Sequence, residues 1–263
     1  MTGLNHAISG DPGRPPILLL HGFMGSASDW RGVVAALGGE YRCLAVDLPG
    51  HGSSLGLSPD AYTIEGSVRV LLDLLDGFEI PRPALVGYSM GGRLALYLAL
   101  RHPERCSGLF VESASPGIED PKERRARRQA DEERASRLEA GDLMGFLRDW
   151  YRQPLFASLA RHEELLEQTI EARLRNDPRE LARSLRRMGA GRAPSLWGEL
   201  AALRVPALAV AGELDERYVE ISARMATLSP RVRAAVVPGA GHNVRLENPE
   251  AYLAALKRSL EAA

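Results

Sequence analysis

The chain has 263 residues, 45% of them hydrophobic and 25% charged, with a net charge of −1. This suits one globular α/β domain with a substantial insertion. The balanced charge gives no reason to expect a nucleic-acid or membrane partner, and no stretch approaches the roughly 20 apolar residues that span a bilayer. The two cysteines, Cys43 and Cys106, are expected as buried free thiols. No metal-ligand cluster and no cofactor motif is visible. Residues Met1 to His6 lack a charged and then apolar leader, so a cytoplasmic location is expected. Nothing in the composition argues for more than a monomer or a weak homo-oligomer.

Apolar runs predict strands at 4–9, 16–20, 43–47, 84–86, 108–113, 207–211 and 234–237. Helical patterns alternate with them at 30–37, 61–75, 90–101, 218–228 and 249–260. Such alternation implies a mostly parallel, doubly wound α/β sheet with its crevice at the carboxyl ends of the strands. From 118 to 196 the strand signal stops. That stretch holds 16 Arg and one Lys against 15 Asp and Glu, so most of its charges are expected to pair along helix surfaces. Residues 118–196 are read as a helical lid over a core formed by 1–117 and 197–263.

The run Leu85-Val86-Gly87-Tyr88-Ser89-Met90-Gly91-Gly92 carries the most chemistry. It predicts a strand that stops at a Gly-x-Ser-x-Gly turn and feeds a helix. The turn exposes Ser89 at the top of the sheet, over a helix N-terminus that favours negative charge. Downstream, Gly212-Glu213-Leu214-Asp215 ends one apolar run and Pro238-Gly239-Ala240-Gly241-His242 follows another. His242 is expected to take the Ser89 proton while Asp215 fixes the imidazole. Glu213 and Glu216 remain alternatives for the acid. His6, His102 and His162 read as surface residues, and His51 as a turn-ordering one. The early loop His21-Gly22-Phe23-Met24 is expected to bring a backbone N–H to the elbow. Phe23 and Met90 would then form an oxyanion hole. His21 is expected to order this loop. Arg93, one helical turn beyond Ser89, can point into the crevice.

The order Ser89, Asp215, His242 resembles the α/β-hydrolase superfamily, from about residue 15 onward. A closer resemblance rests on Glu123-Arg124-Arg125-Ala126-Arg127-Arg128, Trp150-Tyr151-Arg152-Gln153-Pro154-Leu155-Phe156, Arg173-Leu174-Arg175-Asn176, and Leu185-Arg186-Arg187-Met188 with Pro194-Ser195-Leu196-Trp197. Together these resemble the 2-succinyl-6-hydroxy-2,4-cyclohexadiene-1-carboxylate synthases of menaquinone biosynthesis. The resemblance implies a lyase that eliminates pyruvate from a small tricarboxylate without an acyl-enzyme. It further implies that Arg127 and Arg175 face inward, that Trp150 and Tyr151 wall the pocket, and that Tyr88 flanks the nucleophile. Arg suits such a ligand because its planar fork pairs bidentately with carboxylates. The competing readings are a serine ester or carbon–carbon bond hydrolase, which would want an apolar lid, and a non-catalytic binding protein, which would be expected to lack a triad member.

Overall fold

The computed structural model describes residues 3–262. Its strands are β1 (His6–Ser9), β2 (Pro16–Leu20), β3 (Arg42–Val46), β4 (Ala84–Tyr88), β5 (Gly108–Glu112), β6 (Ala207–Gly212) and β7 (Val232–Val237). They form one seven-stranded sheet in the order β1-β3-β2-β4-β5-β6-β7, antiparallel only between β1 and β3. Strands β2 and β4 read as apolar runs, and so does β5 up to its final Glu112, because helices cover both faces of the sheet. Along β2, Leu18 and Leu20 join one core cluster, while Ile17 and Leu19 join another on the opposite face. This is the period of two expected of a strand.

The helices before the insertion are α1 (Arg31–Ala36), α2 (Ile64–Gly77) and α3 (Met90–Arg101). Between β5 and β6 come α4 (Pro121–Glu139), α5 (Leu143–Tyr151), α6 (Glu163–Arg173) and α7 (Pro178–Met188). The last three are α8 (Glu216–Leu228), α9 (Val244–Glu247) and α10 (Pro249–Glu261). Asp120 caps α4 by accepting from Lys122 N and Glu123 N, and Asp177 caps α7 by accepting from Arg179 N and Glu180 N. Each cap is followed by a proline, whose missing N–H and fixed φ suit the first helical position. Met24, Phe146, Leu147 and Leu181 anchor a third apolar cluster beneath α4 to α7.

Several element boundaries differ from the sequence expectation: β1 starts at His6 and not at 4, β4 runs on to Tyr88, and α8 starts at Glu216. The helix expected at 30–37 is a 3-10 turn (Ala27–Trp30) followed by α1. Helix α2 starts at Ile64, where the Thr63 side chain accepts from Gly66 N. Strand β7 starts at Val232, because Arg233 and Ala234 are exposed on an edge strand and mask its apolar signal.

From β2 the chain steps one way to β3, then crosses β2 to reach β4. This reversal opens a crevice at the carboxyl ends of β2 and β4. In register, Leu20 lies beside Gly87, so the loops after these two strands emerge side by side.

Candidate active site

Ser89 sits at φ 49, ψ −104, between β4 and α3. A non-glycine residue at such a conformation is strained and persists only where its surroundings fix it. The surroundings here are tight. Ser89 N donates to Glu112 O at 2.8 Å, and Arg93 N donates to Ser89 O at 3.0 Å. A Cβ on Gly87 would lie 2.6 Å from Gly91 O, and one on Gly91 would collide with Leu20 O. The elbow therefore needs both glycines, and the packing of strand against helix holds the serine outward.

His242 Nδ1 donates to Asp215 Oδ2 at 2.7 Å, which leaves Nε2 to accept from Ser89 Oγ at 3.2 Å. Both distances are within proton-transfer reach. Asp215 holds the N-cap position of α8, but its side chain makes no cap hydrogen bond. Its carboxylate is committed to the imidazole. Glu213 is exposed and accepts from Gly239 N at 3.0 Å; Glu216 is exposed. Of the three acids, Asp215 is the one whose carboxylate meets the imidazole.

The histidine loop is braced on two sides. Glu247 accepts from Gly241 N at 2.9 Å and from Asn243 N at 3.1 Å. Arg245 donates to Glu112 through its backbone N (3.1 Å) and its guanidinium (3.2 Å), and lies 4.3 Å over the Tyr88 ring. Burial alone raises the Glu112 carboxyl; Arg245 opposes this without cancelling it.

Phe23 and Met90 both line the cavity, and neither N–H donates to another group among the described residues. His21 orders the Phe23 loop: its Nδ1 donates to Gly22 O (2.7 Å) and its Nε2 accepts from Leu48 N (2.9 Å). Burial pushes its pKa down, and that of His51 well below the ordinary value, so both are neutral. A Cβ on Gly22 would strike the Tyr88 ring at 2.6 Å, which shows how closely this loop approaches the elbow. His6, expected at the surface, is half-buried on Phe78.

Tyr88, Arg93, Arg127, Trp150 and Tyr151 all line the same cavity. Arg93 makes no hydrogen bond or ion pair among the described residues, and its Nε is buried without a partner. Burial pushes its pKa down to about 10, which still leaves it charged at neutral pH. Arg127 Nε donates to the buried Asp131 at 2.7 Å.

Arg175 is a correction. It is exposed and lies away from the cavity, in a surface groove beside Asn5 and Ser26. Arg173, two residues earlier, lines the cavity instead. Arg173 is the last residue of α6, whereas Arg175 lies in the turn beyond it. Arg173 is fixed by two bonds of 2.7 Å to Asp29, in the turn after β2. That partner is 144 residues away, so no local pattern could reveal it. Arg134, Arg217 and Tyr218 also line the cavity and were missed. Arg134 had a readable signal: it lies seven residues after Arg127 on α4, on the same stripe. Tyr218 packs 4.8 Å from the His242 ring, three residues after Asp215.

Among the described residues, no group of His, Cys, Asp or Glu is arranged to hold a metal ion, and no helix is long and apolar enough to cross a membrane. Both thiols are buried and free, pushed up to about 11 by burial.

Residues 15–249 match the family model of the alpha/beta hydrolase fold, which sets the class. The chain is 35% identical to the putative 2-succinyl-6-hydroxy-2,4-cyclohexadiene-1-carboxylate synthase of Bacillus subtilis, over 95% of this chain and 92% of that one. The solved structure of MenH from S. aureus superposes with a TM-score of 0.92 and 30% identity, covering 97% of both chains. Protein PHYLLO of Arabidopsis thaliana is 34% identical over 92% of this chain, which spans only 15% of that much longer protein. The chain belongs to the 2-succinyl-6-hydroxy-2,4-cyclohexadiene-1-carboxylate synthase family of the alpha/beta hydrolase fold.

Proposed function

We propose that this chain is a carbon–oxygen lyase of menaquinone biosynthesis. It eliminates pyruvate from 2-succinyl-5-enolpyruvyl-6-hydroxy-3-cyclohexene-1-carboxylate to give 2-succinyl-6-hydroxy-2,4-cyclohexadiene-1-carboxylate. The observation that carries this reading is Arg93, a cation without a carboxylate partner one helical turn from a hydrogen-bonded Ser–His–Asp relay. An ester hydrolase of neutral substrates has no use for it.

His242 takes the Ser89 proton, and Asp215 stabilises the imidazolium. The Ser89 oxygen then removes the ring proton next to the succinyl carbonyl. The Phe23 and Met90 N–H groups hold the oxygen on which charge develops. The ring double bond shifts, a second forms, and the carbon–oxygen bond to the enolpyruvyl group breaks. His242 returns its proton to the departing enolpyruvate, which becomes pyruvate. Ser89 keeps the ring proton and is reset, with no bond to substrate formed.

The charge of the cavity supports a tricarboxylate. Five arginines line it: Arg93, Arg127, Arg134, Arg173 and Arg217. Asp131 answers one of these charges and Asp29 another, while Arg245 and Glu112 answer each other. Three positive charges are left for three substrate carboxylates. One of these charges is on α4, where Arg127 and Arg134 share Asp131, and the others are Arg93 on α3 and Arg217 on α8. Helices α4 to α7 act as the lid, and the partner is this small molecule.

The test is turnover. The substrate is made in situ by the preceding enzyme, and pyruvate release is followed beside a p-nitrophenyl ester panel. Release that Ser89→Ala abolishes, with esters cleaved slowly or not at all, is the expected result. Rapid ester cleavage without pyruvate release would establish a serine hydrolase in its place.

A further inference from the structure

The wall of the cavity continues beyond the residues that flank Ser89. The Phe23 ring packs 5.3 Å from the Trp150 indole, and the Arg134 guanidinium lies 5.6 Å from the same indole. One aromatic surface thus joins the oxyanion loop to Arg134. On α4, Arg127, Asp131 and Arg134 fall at i, i+4 and i+7, a single stripe, and Asp131 is only 3% exposed. The stripe faces inward, whereas Glu132 and Glu133 between its members are exposed.

Arg134 is held and not consumed. Its Nη2 donates to Gln153 Oε1 at 3.3 Å, and its Nη1 reaches Asp131 Oδ1 at 3.4 Å, both long. Asp131 already takes Arg127 at 2.7 Å, so the trio carries one positive charge in excess. Gln153 is oriented in turn: its Nε2 donates to Trp150 O at 2.9 Å, which turns its Oε1 toward Arg134. A guanidinium has five N–H donors in a fixed plane. An aromatic face and two distant acceptors set that plane and leave donors for a ligand.

We propose that Arg134, positioned by Trp150 and Gln153, recognises the terminal carboxylate of the substrate's succinyl arm. The inference rests on the elimination reading above and deepens it. The succinyl carbonyl oxygen is the group held by the Phe23 and Met90 N–H groups. The arm therefore starts at the Phe23 loop and runs along Trp150, and its carboxylate ends at Arg134. Arg93, beside Ser89, is left for a carboxylate close to the reacting ring. Arg134 touches substrate without joining in proton transfer; it determines which arm fits.

The probe is 4-oxopentanoate, which repeats the ketone-to-carboxylate spacing of the arm. Its methyl ester removes the charge, and pyruvate stands for the other arm. In the wild type, the acid is expected to inhibit at least tenfold better than its ester. Arg134→Gln is expected to raise the inhibition constant of 4-oxopentanoate and the KM about tenfold or more, with kcat within about threefold and pyruvate inhibition unchanged. Arg134→Lys is expected to recover part of the loss. Equal inhibition by acid and ester in the wild type would overturn the proposal. So would an unchanged constant in Arg134→Gln, or a parallel loss of pyruvate inhibition, which would mark Arg134 as a brace of the helix. Calorimetric titration of 4-oxopentanoate into wild type and variant needs no turnover. A missing elimination activity is thereby read separately from a missing carboxylate site.

Discussion

The two halves of the cavity are built on opposite electrostatic plans. The half at the sheet edge is closed: Ser89, His242, Asp215, Glu247 and His21 each have a hydrogen-bond partner at 2.7–3.2 Å. The half supplied by α4 to α7, with Arg93 facing it from α3, carries cations in excess of its carboxylates. A satisfied network fixes geometry, and proton transfer needs fixed geometry. An unsatisfied cation is costly when buried, and it persists where an anion is to be bound. Reaction type is thus written on the loops at the strand ends, and substrate charge on the helices that face them.

The comparison is broken most severely at the closed half. Asp215→Asn is expected to lower kcat roughly a thousandfold or more, because the imidazole loses the partner that sets its tautomer. Since the Asp215 side chain does not cap α8, the melting temperature should change little. A large fall in stability would show that the carboxylate serves the fold.

The join between the halves comes next. Asp29 and Arg173 form a buried pair across it, with side chains 8% and 6% exposed. Asp29→Asn leaves Arg173 uncompensated and is expected to cost ~3–5 kcal/mol in urea unfolding at neutral pH. Burial alone would raise the Asp29 carboxyl, but Arg173 outweighs it and holds the group below its ordinary 3.8. A lowered folded value means the stabilisation is complete above 3.8 and fades as pH falls through that lowered value. The gap between wild type and variant should therefore narrow on acidification. A gap independent of pH would rule out an ionic contribution.

The open half responds in binding. Arg93→Ala is expected to raise KM about 10- to 100-fold, with a smaller change in kcat; steady-state kinetics of pyruvate release decides it. The smallest effect sharpens the contrast: Arg175→Ala, outside the cavity, should leave both constants within about twofold of wild type. A rise in KM matching that of Arg93→Ala would place Arg175 in the site after all.

What could be read from the amino-acid order follows the same division. The elbow, the acid and the histidine are each announced by their own neighbours: an apolar run, then glycines, then the reactive residue. Strands β2 and β4 are plain because burial on both faces leaves no charged interruption, and β5 is plain up to its last residue, Glu112. Edge strand β7 was shortened by its exposed Arg233. The arginines of the insertion resisted reading, since α4 has Arg124, Arg125, Arg127 and Arg128 within one turn and a half. Their orientation is set by Asp131, Ala135 and Leu138, the residues α4 buries. Arg173 was displaced by two positions because only a distant partner, Asp29, selects it over Arg175.

The insertion leaves the sheet after β5 and returns at β6, and these two strands are hydrogen-bonded neighbours, Glu112 beside Val210. These strands are parallel, so it is not the ladder that joins the ends of residues 118–196 but the loops beyond it: Leu196 N donates to Pro116 O at 2.7 Å, and Trp197 Nε1 donates to Gly117 O at 3.0 Å. Closure entropy grows only slowly with loop length, so the sheet is nearly indifferent to what is spliced there. A relative's insertion grafted between Gly117 and Trp197 would meet an unchanged strand register, and a single exchange of sequence would change the charge that helices α4 to α7 present to the cavity.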